Sequence, residues 1–193
     1  ALPPLPPLDA PADELEASHR GPTIRCNWLV PGLVLAGDRA SLDEDASLRA
    51  VLAAGVSTIV CLQTRQETKV AVDYRRRKEL VQRNTCFHEC PIVDQQVAED
   101  GLVEALVGEL AERVHRGEVL YVHCRGGHGR TGTVCALLLG RLYDLSAPEA
   151  LARVQLCHDT RVQPCFSARG DGRARLLAGD GGACVSLFPV QQA

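Results

Sequence analysis

At 193 residues the chain suits one domain with room for a sizeable core, and its 46% hydrophobic and 23% charged residues are ordinary for a globular protein. A formal net charge of −3 excludes a globally basic nucleic-acid binder, so any attraction for an anion must be local. Nine cysteines, odd in number and without a C-x2-C pair, stand in a chain too long to need a disulfide framework and point to a reducing, cytoplasmic setting; no apolar run reaches the ~18 residues that span a membrane.

The sequence opens on Ala1 and contains no Met, so a removed targeting segment stays open. Residues 1–12 contain P-P-L-P-P-L and little else that packs, which predicts an extended polyproline-type tail, either a plain linker or a ligand for an SH3-like partner. Residues 13–20 are polar and read as a short helix or a disordered stretch. The domain is expected over residues 27–178, after a Pro-rich, partly disordered tail (1–26) and before a C-terminal tail (179–193). Residues 28–36, W-L-V-P-G-L-V-L-A, predict two short strands around a Pro31-Gly32 turn, with Trp28 packing at the sheet edge. Residues 43–54 predict a helix with Leu48, Val51 and Leu52 inward, stopped by Gly55. Residues 56–62, V-S-T-I-V-C-L, read as a buried strand. The polar loop after it, residues 63–69, falls on the side where an α/β sheet builds its sites.

Residues 70–84 are helical in character and carry the run Arg75-Arg76-Arg77-Lys78, a solvated face or a docking patch. Residues 85–93 form the next predicted strand and lead to Asp94. Over residues 99–116, Leu102, Leu106, Leu110 and Val114 recur on one helical face. A buried strand over 118–122 and a buried helix over 131–145 follow. Ser146-Ala147-Pro148-Glu149 reads as a capping box with proline in the first turn, opening a helix to about Cys157. From Gln163 the pattern is poor and Gly-rich, with one short helix near 173–178. Strands alternating with helices predict an α/β fold with a central, mainly parallel sheet flanked by helices.

The chemistry concentrates in His123-Cys124-Arg125-Gly126-Gly127-His128-Gly129-Arg130-Thr131-Gly132, between the predicted strand and helix. Glycines let backbone N–H groups turn towards one point, an anion-binding nest, and the helix aims the positive end of its dipole there. A thiol so placed beside a guanidinium ionises below its free value of ~8.5 and becomes a nucleophile. Arg130 offers a planar fork for two phosphoryl oxygens. Thr131 places a hydroxyl beside the sulfur, able to ease its departure in a second step.

The spacing H-C-x5-R-T-G, locally H-C-R-G-G-H-G-R-T-G-T, resembles the signature of the cysteine-dependent protein tyrosine phosphatase superfamily, and of its small dual-specificity branch. The likeness is strong in the loop and weaker over the rest of about residues 28–161. It implies a dual-specificity phosphatase-like fold, with Cys124 as the nucleophile of a phosphocysteine step, Arg130 binding phosphate and His123 tuning the thiol. The cradle would be the backbone of Arg125, Gly126, Gly127, His128 and Gly129. The implied substrate is a phosphorylated protein or a small phosphate ester, with no cofactor and no metal, since nest and arginine supply the positive charge.

A departing oxygen also needs a proton, and the best-placed carboxylate is Asp94 in Pro91-Ile92-Val93-Asp94; similar P-I-x-D segments hold the acid in dual-specificity enzymes. Asp100 and Glu99 are its rivals. Arg125 and His128 add potential positive charge to the loop, which resembles the phosphoinositide-phosphatase branch, and His128 would titrate near neutrality. The alternative is that both point outward. Cys61, Cys86, Cys90 and Cys135 should pack near the central strand, Cys61 and Cys90 being the better candidates to trap an oxidised Cys124. Three further readings stay open: an inositide phosphatase, a silent phosphate-binding adaptor and a rhodanese-like transferase. The likeness thins after Arg161, where Cys165-Phe166-Ser167-Ala168-Arg169 replaces the usual Ser-Pro segment, and 4% aromatics predict a shallow cleft.

Overall fold

A computed structural model describes residues 1–69, 73–94 and 100–163. Its strands are β1 (Cys26–Val30), β2 (Val34–Asp38), β3 (Thr58–Cys61), β4 (Cys86–Glu89) and β5 (Leu120–Cys124). Its helices are α1 (Ala12–His19), α2 (Ala40–Asp43), α3 (Asp45–Ala53), α4 (Arg65–Lys69), α5 (Lys78–Gln82), α6 (Asp100–His115), α7 (Gly129–Tyr143) and α8 (Ala147–Asp159), with a 3-10 turn at Tyr74–Arg76. The sheet order is β1-β2-β5-β3-β4, antiparallel at β1–β2 and parallel elsewhere, so the expected mainly parallel α/β sheet is present.

β5 is central and buried along its whole length. Because strand side chains alternate, it feeds two cores. Leu120, Val122 and Cys124 join a cluster with Leu106, Leu110, Val134 and Leu138 from α6 and α7. Tyr121 joins the opposite cluster, with Leu48, Val51 and Leu52 of α3 and with Tyr74 and Leu80. His123 lies on Tyr121's face, its ring 5.8 Å from that of Tyr121.

Several expected elements differ in extent. The helix expected over 43–54 is α3, which starts two residues later, at Asp45, because an extended Glu44 (φ −90°, ψ 131°) separates it from the short α2. The polar loop expected over 63–69 contains α4. Of the helix expected over 70–84, residues 70–72 lie outside the described residues, and the rest is a 3-10 turn and α5 separated by an extended Arg77. Tyr74 and Leu80 are both buried in one cluster, yet in a straight helix six residues would leave them roughly 120° apart around the axis. The break lets both face inward. Arg77 pins it by donating to the carbonyls of Leu42 and Asp43 and pairing with Asp45. The basic run is therefore not one helix face, since Arg75 pairs with Asp73 and Glu89 while Arg76 is left outermost.

Ser146 sits at the N-cap of α8 with Pro148 in the first turn, but its side chain makes no capping hydrogen bond. The expected capping box is corrected, because Glu149 turns forward to pair with Arg153. At the N-terminus, α1 buries Leu15 and His19, and Arg20 bridges to Asn27. The helix expected near 173–178 and the tail 179–193 lie outside the described residues, as do Glu99 and residues 165–169. No helix among the described residues is long and apolar enough to cross a membrane.

Candidate active site

The strand-to-helix turn after β5 is built against the end of β2. Cys124 is the register partner of Asp38. The backbone N–H of Arg39 donates to the Arg125 carbonyl at 3.3 Å. Gly127 has φ +69°, and a Cβ there would lie 2.3 Å from the Gly37 carbonyl oxygen. Handedness and space both require glycine. That geometry turns the Gly127 N–H onto the buried Cys124 sulfur at 3.2 Å. Asp38 itself is braced by the Ser41 N–H and hydroxyl, each at 3.0 Å, and its carbonyl accepts from the Tyr121 hydroxyl at 2.7 Å.

Arg130, in the first turn of α7, is buried, and both of its terminal nitrogens are hydrogen-bonded. Its Nη1 and Nη2 each donate to a Glu67 carboxylate oxygen at 2.8 Å, and Nη1 also donates to the Ile92 carbonyl at 3.0 Å. Asp94 Oδ1 lies 3.2 Å from Nε, an ion-pair contact without hydrogen-bond alignment. Glu67 thus occupies the Nη1–Nη2 edge of the fork and Asp94 stands on the Nε side. The hydrogen bonds from Arg130, helped by Thr64, hold the Glu67 carboxyl down to about 2. Thr131 is buried beside Arg130, and its hydroxyl has no hydrogen-bond partner among the described residues.

Cys124, Gly127, Arg130, Thr131 and Asp94 therefore converge on the carboxyl end of the central strand. Gly126 is half-buried, and Gly129 opens α7. His123 does not share the cysteine's face. Its Nε2 meets the Tyr74 hydroxyl at 2.8 Å and its Nδ1 the Cys124 carbonyl at 3.1 Å, so its link to the cysteine runs through the backbone. Burial pushes it down to about 4. Arg125 is exposed. His128 turns to α8, its ring 4.6 Å from that of His158, and burial pushes it too down to about 4. The expectation that His128 titrates near neutrality is corrected; packing against α8 removes the water that would stabilise its charge.

Asp100 opens α6 and makes no ion pair with Arg130 among the described residues. Cys61 pairs in register with His123 and so lies on the face away from the Cys124 sulfur, which corrects its choice as a trapping thiol; Cys90 and Cys135 share the Cys124 cluster. Sequence reasoning missed Glu67. The available signal was physical: a buried guanidinium needs a counter-charge, and the polar segment after β3 lies at the right end of the sheet to supply one.

Fold and site define a domain of the cysteine-loop phosphatase class. Residues 23–173 match the family model PTP-SAK, described as the Swiss Army Knife protein DSP-PTPase phosphatase domain, and the chain belongs to this family. Among curated relatives, protein 067L of Invertebrate iridescent virus 3 is 42% identical over 52 residues (27% of this chain, 22% of the viral protein). Protein 197R of Invertebrate iridescent virus 6 is 31% identical over 91 residues (45% of this chain, 34% of the viral protein). Both are named as candidate tyrosine phosphatases, and the matches span about a quarter to a third of their lengths. In fold, the chain is similar to P. aeruginosa TpbA, solved in complex with phosphotyrosine: TM-score 0.54, 18% identity, covering 83% of this chain and 93% of that one.

Proposed function

We propose that this domain hydrolyses phosphomonoesters on proteins, phosphotyrosine and phosphoserine/threonine alike, through a phosphocysteine. The observation that carries the reading is the meeting of the Cys124 sulfur, the turned Gly127 amide, the buried Arg130 and Asp94 at one strand end. Cys124 attacks phosphorus, the ester P–O bond breaks, and Asp94 gives its proton to the departing oxygen. Arg130 and the amides from Arg125 to Arg130 hold the three phosphoryl oxygens while charge moves. Water, activated by Asp94, then cleaves the P–S bond, with the Thr131 hydroxyl easing departure of the sulfur.

Glu67 and the Ile92 carbonyl occupy Nη1 and the inner Nη2 position of Arg130. The edge left for phosphoryl oxygens is Nε with the outer Nη2 hydrogen, the edge on which Asp94 stands. Substrate binding displaces the exposed Asp94 (58% accessible) from Nε and frees it for the leaving group. The free cysteines among the described residues fit a reducing compartment.

The test is a panel of phosphotyrosine, phosphoserine and phosphothreonine peptides, soluble inositol phosphates and a small aryl phosphate, assayed with and without EDTA. Peptide turnover unaffected by EDTA is expected. Cys124→Ser should abolish it while keeping phosphate binding, and Asp94→Ala should lower it by roughly 10²–10⁴. Retained activity in Cys124→Ser removes the mechanism, and turnover confined to inositol phosphates moves the substrate to that class.

A further inference from the structure

The Pro-rich segment at the N-terminus lies on the domain's own surface with a period that the catalytic reading does not use. From Leu2 to Pro7 the accessibility runs covered, covered, open, covered, covered, open: Leu2, Pro3, Leu5 and Pro6 are half-buried, whereas Pro4 and Pro7 face out. Three residues per turn is the period of a polyproline helix. The sequence imposes that conformation, because each proline restricts its own φ and pushes the residue before it out of the helical region.

The surface beneath answers that period. Leu2 and Leu5, one turn apart, pack on the core cluster together with Leu142, Leu145, Leu151 and Val154 at the junction of α7 and α8. The Tyr143 hydroxyl donates to the Pro3 carbonyl at 2.8 Å, and Arg153 donates to the Pro6 carbonyl, again one turn on. Glu149 holds the Arg153 guanidinium from one helical turn away, at 3.1 Å and 3.3 Å, so the donor is positioned from within α8. Apolar slots for two X-Pro dipeptides, with an aromatic hydroxyl and a cation donating to carbonyls between them, are the features by which Pro-rich chains are read.

We propose that the α7–α8 surface is a polyproline-recognition groove. Its resident ligand is the chain's own Leu2-Pro3-x-Leu5-Pro6, and a Pro-rich segment of another protein with the same L-P-x-L-P spacing takes its place. A second consequence concerns the SH3-like partner expected for the tail. The covered face of the segment is the one such a module reads, so docking there requires the segment to leave α7–α8 first.

The test uses the full chain with Leu2→Asp and Leu5→Asp, which releases the segment without touching the groove, and a fluorescein-labelled peptide of residues 1–9 read by anisotropy. The released variant should bind the peptide saturably. Wild type should bind it about tenfold more weakly, as expected when a tethered ligand at millimolar effective concentration must leave a site of about 0.1 mM affinity. Arg153→Gln in the released background should weaken binding at least about threefold, and a peptide with Pro3 and Pro6 replaced by Gly should not bind. No binding to the released variant, equal binding to both proteins, or indifference to the two prolines overturns the groove. If the aspartate variant does not unfold cooperatively, the chain with Pro3→Gly and Pro6→Gly serves in its place, with the same outcomes.

Discussion

At the scale of single residues, the site depends on how a buried arginine is kept charged and aimed. Burying a guanidinium costs several kcal/mol unless its donors are met, and Glu67 meets two of them. Glu67→Gln keeps the shape and removes the charge. We expect a stability loss on the order of 2 kcal/mol at pH 7. We also expect a ten- to hundredfold fall in kcat/KM, because an Arg130 free to rotate loses the edge that faces phosphate. The carboxyl is held down to about 2 from an ordinary 4.5, so its contribution is complete above pH 4.5 and lost as pH falls towards 2. Denaturant titrations of both proteins at pH 7, 4 and 2.5 check this. A gap at pH 2.5 as wide as at pH 7 would mean that the loss does not come from the charge of the Glu67 carboxylate. Cys124 and Arg130 could be read from the sequence because one turn joins them. Glu67 lies sixty-three residues away along the chain and was invisible to spacing.

At the scale of elements, local signals located the strands and helices better than their joints. A continuous apolar and β-branched run marked β5, which is buried on both faces, and helical periodicity marked α6, which buries one stripe. The break at Arg77 answers to a demand from outside its own segment, that Tyr74 and Leu80 enter the same core. Ser146 shows the converse: its sequence context is that of a capping box, yet its hydroxyl caps nothing because Glu149 is drawn to Arg153. An N-cap serine usually costs about 1 kcal/mol when replaced by alanine. Here Ser146→Ala is expected to cost less than about 0.5 kcal/mol, measured by thermal or chemical unfolding. A loss near the usual value would show that the cap forms in solution.

At the scale of the whole molecule, burial sets the response to pH. His123 and His128 are pushed down to about 4, against 6.5 in the unfolded chain. Between those values the unfolded state binds more protons, so stability is complete above about pH 6.5 and declines as pH falls towards 4. The lowered carboxylates Glu67, Glu109 and Glu118 begin to lose their contribution only below 4.5, which leaves the window from 6.5 to 4.5 to the histidines. Unfolding midpoints should therefore drop between pH 7.5 and pH 5, and His128→Gln should remove part of the slope; a flat wild-type profile would contradict the burial of both rings. The sequence by itself determined the α/β alternation, the central strand and the short loop that joins cysteine to arginine, because these rest on periodicity and on contacts a few residues apart. Only the tertiary structure decided that Glu67 holds Arg130, that His123 and Cys61 face away from the sulfur, and that the Pro-rich segment is bound to α7 and α8. Those outcomes depend on which distant surfaces meet when the sheet closes, and no local pattern records that.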